Sequence, residues 1–306
     1  MEEAPQTMGR EESPRPSSRS RLPAWFRQPF PKGQTGERVR RLLRSLCLHT
    51  VCEGARCPNR GACWQDAAAA FLLLGPTCTR HCRFCAVEHA EGRPLPPPEA
   101  DEPMRLAQAV RAMALRHVVL TSVTRDDLPD GGASHFAATI HVLRRELPSL
   151  RIEVLAPDFQ GDRQALNLVL EARPDIFNHN LETVARLQPV VRPQADYARS
   201  LAVLRHAAGQ GGWVKSGLML GMGETEAELH RALQDLRRAG VRLLSLGQYL
   251  APSAAHHPVD RFVPPDEFSR WRQTALDLGF HSVAAAPHVR SSYHAQDLLP
   301  PAETAE

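Results

Sequence analysis

Phe71-Leu72-Leu73-Leu74 runs straight into Gly75-Pro76-Thr77-Cys78-Thr79-Arg80-His81-Cys82-Arg83-Phe84-Cys85. A short apolar run stopped by Gly-Pro reads as a buried β-strand, and the cysteines that follow it are spaced C-x3-C-x2-C. From this strand onward, short β-like runs alternate with amphipathic helices. Further strands are predicted at His117–Ser122, Ile152–Leu155, Asp175–Asn180, Val214–Leu220, Val241–Gly247 and His281–Ala285. Helical spacing falls between them, at Met104–Leu115, Ser134–Leu147, Arg163–Ala172, Tyr197–Ala208, Thr225–Ala239 and Pro265–Leu278, with Ser134 and Asp196 at N-cap positions. Strict alternation implies parallel strands joined by right-handed crossovers. Six or seven such units fit a complete or partial α/β barrel better than a doubly wound sheet, and no G-x-G-x-x-G opens the first helix. In such barrels the chemistry sits at the C-terminal ends of the strands, which puts the cysteine run at the active mouth.

The bulk properties narrow the class. The chain has 306 residues, a formal charge of +3 and 42% hydrophobic residues, enough for a sizeable core. By length it could hold two domains or one barrel of ~200–250 residues. No apolar run approaches the ~18–20 residues of a membrane span. Met1-Glu2-Glu3-Ala4-Pro5 opens no apolar signal region, so a soluble, cytoplasmic protein is expected. So small a charge does not suggest nucleic acid as a partner. Only Lys32 and Lys215 are lysines among 37 basic residues; this fits a coding bias toward arginine, yet raises the question of what arginine could not do at 215. Residues 1–21, rich in Ser, Pro, Arg and Glu, read as a disordered tail. Residues 22–70 form an N-terminal extension, 71–286 the barrel and 287–306 a C-terminal segment.

All seven cysteines fall between Cys47 and Cys85. A long chain without a secretory signal that crowds its thiols into one segment points to metal rather than to a disulfide scaffold. Three thiolates can hold three irons of a [4Fe–4S] cluster and leave the fourth iron open. Structural zinc, by contrast, wants four closed ligands. A second trio, Cys52, Cys57 and Cys63, has C-x4-C-x5-C spacing and is again one ligand short. Two incomplete trios suggest two clusters rather than one divided zinc site. Cys47 belongs to neither trio and reads as a small buried hydrophobe.

The C-x3-C-x2-C run after a first barrel strand resembles the radical S-adenosylmethionine (SAM) superfamily. Leu48-His49-Thr50-Val51-Cys52, both trios and Arg290-Ser291-Ser292-Tyr293 together resemble the lipoyl synthase family. The likeness extends through Asn178-His179-Asn180-Leu181-Glu182, Val191-Arg192-Pro193, Lys215-Ser216-Gly217-Leu218-Met219 and Gly247-Gln248-Tyr249-Leu250, roughly from Pro23 to Ala295. The shared order of these motifs is specific where each alone is weak. The resemblance implies a partial (β/α)6 TIM-like barrel of the radical SAM type, with both extensions closing an auxiliary cluster site. It implies two [4Fe–4S] clusters, one on Cys78, Cys82 and Cys85, the other on Cys52, Cys57, Cys63 and a serine of the Arg-Ser-Ser-Tyr motif, expected to be Ser291 with Ser292 as the fallback. A serine oxygen is a harder, less typical ligand than thiolate and could leave when the cluster is dismantled. SAM would chelate the open iron, with contacts expected from Thr121, Ser122, Asn180, Glu182, Lys215, Gly217, Gly221 and Gln248. Gly217 to Glu224 resembles the superfamily's G-x-I-x-G-x-x-E signature, with Met for Ile, though a strand followed by a Gly-rich helix entry explains it equally well as structure. Gln248 and Tyr249 are expected near the adenine.

The resemblance further implies a reaction. One electron enters the first cluster and SAM is cleaved to methionine and a 5′-deoxyadenosyl radical, which takes hydrogen from C6 of an octanoyl chain on a carrier-protein lysine. The carbon radical accepts sulfur from the auxiliary cluster, and a second cycle at C8 completes the lipoyl group. Implied partners are octanoylated carriers (lipoyl domains of 2-oxoacid dehydrogenase E2 subunits, the glycine cleavage H protein), a reduced ferredoxin or flavodoxin, and an iron–sulfur cluster donor. Arg125-Asp126-Asp127 reads as structural or substrate-docking, and His256-His257 as plain loop residues. Two rival readings are another two-cluster radical SAM sulfur-inserting enzyme, which normally carries an appended recognition domain, and a non-catalytic iron–sulfur redox-sensing protein, which would need no C-terminal serine motif.

Overall fold

The computed structural model describes residues 22–27, 34–65, 68–293 and 295–298. The tail expected at 1–21 lies outside these residues, as do His294 and 299–306 of the expected C-terminal segment. In chain order the elements are α1 (Thr35–Ser45), β1 (His49–Thr50), α2 (Val51–Gly54), α3 (Arg60–Gln65), β2 (Ala70–Leu73), β3 (Thr77–Cys78), β4 (Glu88–His89), α4 (Glu102–Ala112), β5 (His117–Ser122), α5 (Ala133–Glu146), β6 (Arg151–Leu155), α6 (Arg163–Glu171), β7 (Ile176–Asn178), α7 (Gln188–Val191), α8 (Tyr197–Ala208), β8 (Trp213–Leu220), α9 (Glu226–Arg238), β9 (Leu243–Gln248), α10 (Pro265–Asp277) and β10 (Ser282–Ala285).

β2 is buried at every position, as a parallel strand covered on both faces must be, which is why it reads as an unbroken apolar run. One sheet runs in the order β1-β2-β5-β6-β7-β8-β9-β10. Every pairing in it is parallel except β1 on β2, which is antiparallel. Six strand–helix units, β2 to α4 through β9 to α10, are followed by β10, and the row does not pair β10 back onto β1. This is the partial α/β barrel expected, with β1 and its helices added at one edge.

Helix starts follow local chemistry with one correction. Asp196 caps α8 as expected, its carboxylate accepting Arg199 N at 2.6 Å. Ser134 does not cap α5. The helix begins one residue earlier, and Asp130 accepts the amides of Gly132 (2.9 Å) and Ser134 (2.8 Å) in its place. Gly132 sits at φ +88° against Leu74, where a Cβ would come within 2.3 Å of a leucine methyl, so the turn needs glycine. β7 stops at Asn178, short of the expected Asn180. The chain then rejoins β8 through a single bridge from Glu182, which holds φ +70° and accepts Met219 N at 2.8 Å. That excursion carries Asn180 to the barrel mouth.

Candidate cluster site at the barrel mouth

Beyond β2, Leu74 (φ 68°) and Gly75 (φ 88°) turn the chain into the cysteine loop. Its first cysteine lies in β3, which pairs with β4. Arg80, almost fully buried between Cys78 and Cys82, fastens the loop to the ends of β5 and β6. Its guanidinium donates two bonds to Asp126 (2.6 and 2.8 Å) and one to Asp158 (2.7 Å). Burial alone would raise the Asp158 carboxyl, but bonding to Arg80 and its charge outweigh this and hold it down at about 2. Two backbone amides, Arg80 N at 3.4 Å and Thr124 N at 3.3 Å, donate to the Cys78 sulfur and fix its place in the loop.

A cavity of about 490 Å3 opens between this loop and the strand ends. Cys78, Cys82 and Cys85 line it, and so do Cys52 and Cys57 from the N-terminal extension and Ser291 and Ser292 from the C-terminal segment. Much of the remaining wall is apolar, including Val51, Leu72, Phe84, Leu155, Met219 and Leu250. Burial raises the Cys52, Cys82 and Cys85 thiols, Cys85 to about 12, so each needs a cation before it can carry charge. Among the described residues no three His, Cys, Asp or Glu side chains converge as ligands of a single ion. Thiolates that each hold a different iron of a cluster need no such convergence. Cys63 lies on α3 and is not part of the cavity wall.

Thr121, Ser122, Asn180, Glu182 and Gly217 all reach the cavity. Thr121 Oγ1 is occupied with Leu155 O (3.0 Å), whereas Ser122 Oγ has no hydrogen-bond partner. Burial raises Glu182, and the nearby Arg192 opposes it. Arg192 donates to the carbonyls of Asn180 and Leu181, both at 3.2 Å, and leaves its buried Nε unpartnered. Its charge also pulls the Cys82 thiol down against burial. Sequence reading passed over this arginine as a site residue, although it stands in the noted Val191-Arg192-Pro193. A cation at the end of a strand-end excursion was the available signal. Gly217 is a cradle: a Cβ there would fall 2.6 Å from Ser245 Oγ and 2.9 Å from both Asn180 Oδ1 and Ser291 Oγ. Only glycine lets these three oxygens meet.

Both chain ends build the other wall. β1 on the edge of β2 sets down α2, whose first turn is capped by Thr50 Oγ1 accepting Glu53 N (3.3 Å) and carries buried Cys52. Trp64 is buried behind the trio, with the Arg40 and Arg60 guanidiniums 5.8 and 5.6 Å from its ring. The segment after β10 is stitched to this extension by Asn59 Nδ2 donating to His288 O at 2.6 Å. It approaches β9 so closely that a Cβ on Gly247 would lie 2.0 Å from Val289 O. Arg290 is held below its ordinary value by burial, against the pull of Cys57.

The sequence matches the radical SAM superfamily over residues 72–236 and the N-terminal domain of lipoyl synthase of the radical SAM family over residues 3–57. It is 53% identical over 277 residues to the lipoyl synthase of Rubrobacter xylanophilus, covering 90% of this chain and 85% of that one. It is 51% identical over 285 residues to the lipoyl synthase of Chlorobaculum tepidum, covering 93% and 98%. The chain belongs to the lipoyl synthase family. Among solved structures, methylornithine synthase shares the fold at a TM-score of 0.53 and 16% identity, covering 90% of this chain and 86% of that one. A maturase of the [FeFe]-hydrogenase does so at 0.52 and 13%, covering 86% and 74%. Both likenesses concern the fold alone.

Of the SAM contacts expected of a lipoyl synthase, Gly221 and Lys215 stand off the cavity wall, and Gln248 lines it with its amide already engaged. Gln248 is saturated by backbone: its Nε2 donates to Leu220 O, Tyr249 O and Arg261 O, each at 3.0 Å, and its Oε1 accepts Val263 N at 2.7 Å. Gly221 is a turn residue outside the cavity wall, at φ +88°, whose amide and that of Met222 are both taken by Glu224. The signature-like run therefore serves as the strand exit. Lys215 is wholly buried in an ion pair with Glu153 and does not reach the cavity. Cys47 is exposed rather than buried, in a left-handed turn (φ 49°) that ends α1. His256 and His257 do more than fill a loop. His257 N donates to Arg83 O (2.8 Å) and His256 Nε2 to Cys85 O (3.2 Å), strapping the cysteine loop from outside. Arg125 bonds Asp127, Pro96 O and Leu74 O, a structural role.

Proposed function

We propose that this chain inserts two sulfur atoms, at C6 and C8, into an octanoyl group carried on a lysine of a carrier protein. One observation carries the reading: thiols of both trios and Ser291 border the same largely apolar cavity. The donor sets fit iron–sulfur clusters. Cys78, Cys82 and Cys85 present three thiols with two amides aimed at the Cys78 sulfur, and Cys52, Cys57, Cys63 and Ser291 supply three thiols and one hydroxyl. When bound, the first cluster with SAM supplies radical hydrogen abstraction, and the second supplies sulfur. The protein's part is positioning and exclusion of water. Arg80 fixes the loop of the first trio to the strand ends. Ser122, Asn180, Glu182 and Arg192 offer polar groups to SAM on one side of the cavity. The Leu, Val, Phe and Met wall suits an aliphatic chain.

As partners we propose lipoyl domains of 2-oxoacid dehydrogenase E2 subunits and the glycine cleavage H protein, a ferredoxin or flavodoxin as electron donor, and a cluster donor to rebuild the consumed site. Among the described residues no helix is long and apolar enough to cross a membrane, in keeping with a proposed cytoplasmic location. The test separates the two trios. Cys78→Ala should abolish SAM cleavage, while Cys52→Ala should keep it and insert no sulfur. After reconstitution with isotopically labelled sulfide, the label should appear at both new carbon–sulfur bonds. Unlabelled sulfur in the product, with labelled clusters intact, would reject the upstream trio as the donor.

A further inference from the structure

Lys215 Nζ has three protons to place and three acceptors around it. Glu153 Oε1 lies at 2.9 Å, Glu153 Oε2 at 3.2 Å and the backbone oxygen of Ser291 at 2.6 Å. Neither Lys215 nor Glu153 has any side-chain exposure. Glu153 is itself fixed, since its Oε1 also accepts Asn178 Nδ2 at 2.8 Å. Carboxylate and ammonium thus sit on β6 and β8, the two strands that flank β7, with Asn178 of β7 between them, and a single proton is left for the C-terminal segment. Another hold on the segment is Asn59, which donates to His288 O three residues earlier. Between these holds, Ser291 Oγ reaches Asn180 Oδ1 at 2.7 Å and lies 3.4 Å from Ser245 Oγ. An arginine could not serve here, because its planar fork does not converge on three acceptors from one nitrogen.

We propose that Lys215 is a positioning residue for Ser291: the buried ammonium, held by Glu153, grips the Ser291 carbonyl and so keeps its hydroxyl on the wall of the cavity that Cys52 and Cys57 also line. The role rests on the reading of Ser291 as the oxygen ligand of the upstream cluster. It assigns Lys215 to that ligand and not to the carboxylate of SAM.

The experiment uses the full chain, as wild type, Lys215→Met/Glu153→Gln, Ser291→Ala and the triple variant. The paired substitution removes both charges and keeps an acceptor for Asn178. Before loading, backbone amides of residues 288–293 should exchange with solvent more than about tenfold faster in the paired variant, as loss of a hydrogen bond to a charged group implies. After reconstitution with iron and sulfide, its upstream cluster should give the three-iron magnetic resonance signal that Ser291→Ala gives. The triple variant should add nothing to that defect, since both changes act through one ligand. Unchanged exchange in a folded paired variant, with a complete four-iron signal, would overturn the proposal. A measurement on the wild type guards against a variant that fails to fold. With only two lysines in the chain, nitrogen-15 labelling of lysine gives two ammonium signals, and one of them should be shielded from water. Two freely exchanging ammoniums would overturn the proposal outright. A wild-type chain that loads only one cluster would instead overturn the ligand reading, and the positioning role with it.

Discussion

Asp158 is a buried carboxylate that stays ionised because Arg80 and, at 3.3 Å, Arg199 reach it. Arg80→Met would leave it with the half-buried Arg199 alone, and breaking a buried pair in this way costs about 3–5 kcal/mol. The expected result is a lower melting temperature together with poorer retention of iron on Cys78, Cys82 and Cys85. A variant that melts and loads like the wild type would show the clamp to be idle. The pH dependence follows from the same pair. The folded carboxyl titrates at about 2 against an ordinary 3.8. Its contribution is therefore whole above pH 3.8 and is lost as the pH falls through 2, amounting to about 2 kcal/mol. Acid titration of the melting temperature should show that slope in the wild type and a flatter one in Asp158→Asn. Gly217→Ala tests the cradle, because its methyl cannot coexist with three oxygens under 3 Å away. Iron content should fall at the upstream cluster, and normal loading of both clusters would argue that these oxygens need not meet.

At the scale of elements, α5 offers the sharpest test of how helices begin here. Asp130→Ala should cost about 1 kcal/mol, the usual loss for a cap, while Ser134→Ala should be close to neutral. Chemical denaturation would settle the order of the two, and the reverse order would restore Ser134 as the cap. That mistake shows where the sequence was legible. Period and apolar runs placed all seven strands of the parallel row, since each is decided by residues within it. The cysteine loop declared itself by spacing. Partners distant in sequence left no local trace: Lys215 meets Glu153 across 62 positions and Ser291 across 76. Gln248 likewise looked available at a strand end, but the loop that returns through Arg261 and Val263 consumes its amide. Cys47, which belongs to neither trio, read as a small buried hydrophobe, whereas the positive φ of the turn leaves it outside.

For the molecule as a whole, the site is assembled from opposite ends of the chain around a barrel supplied by the middle. Removing residues 287–306 should spare the sheet and the cluster on Cys78, Cys82 and Cys85 while losing the upstream one. Reconstituted chains should then hold about four irons each, where two loaded clusters in the full protein would give about eight. Eight irons on the shortened chain would mean that another residue completes the trio.

The bond from Asn59 to His288 spans 229 positions, and it has a consequence in time. At a synthesis rate of about 5–20 residues per second, the upstream thiols wait on the order of ten to fifty seconds before their closing segment leaves the ribosome. The loop bearing Cys78, Cys82 and Cys85 is held first by β5 and β6, whose Asp126 and Asp158 receive Arg80, and last by His256 and His257, which still precede His288 in the chain. On the proposed assignment, a newborn chain therefore anchors the loop for its first cluster before it can close around the second. During that interval the upstream trio lies open to oxygen, stray metal and delivery proteins alike, so the order in which the two proposed sites close follows the order of the sequence.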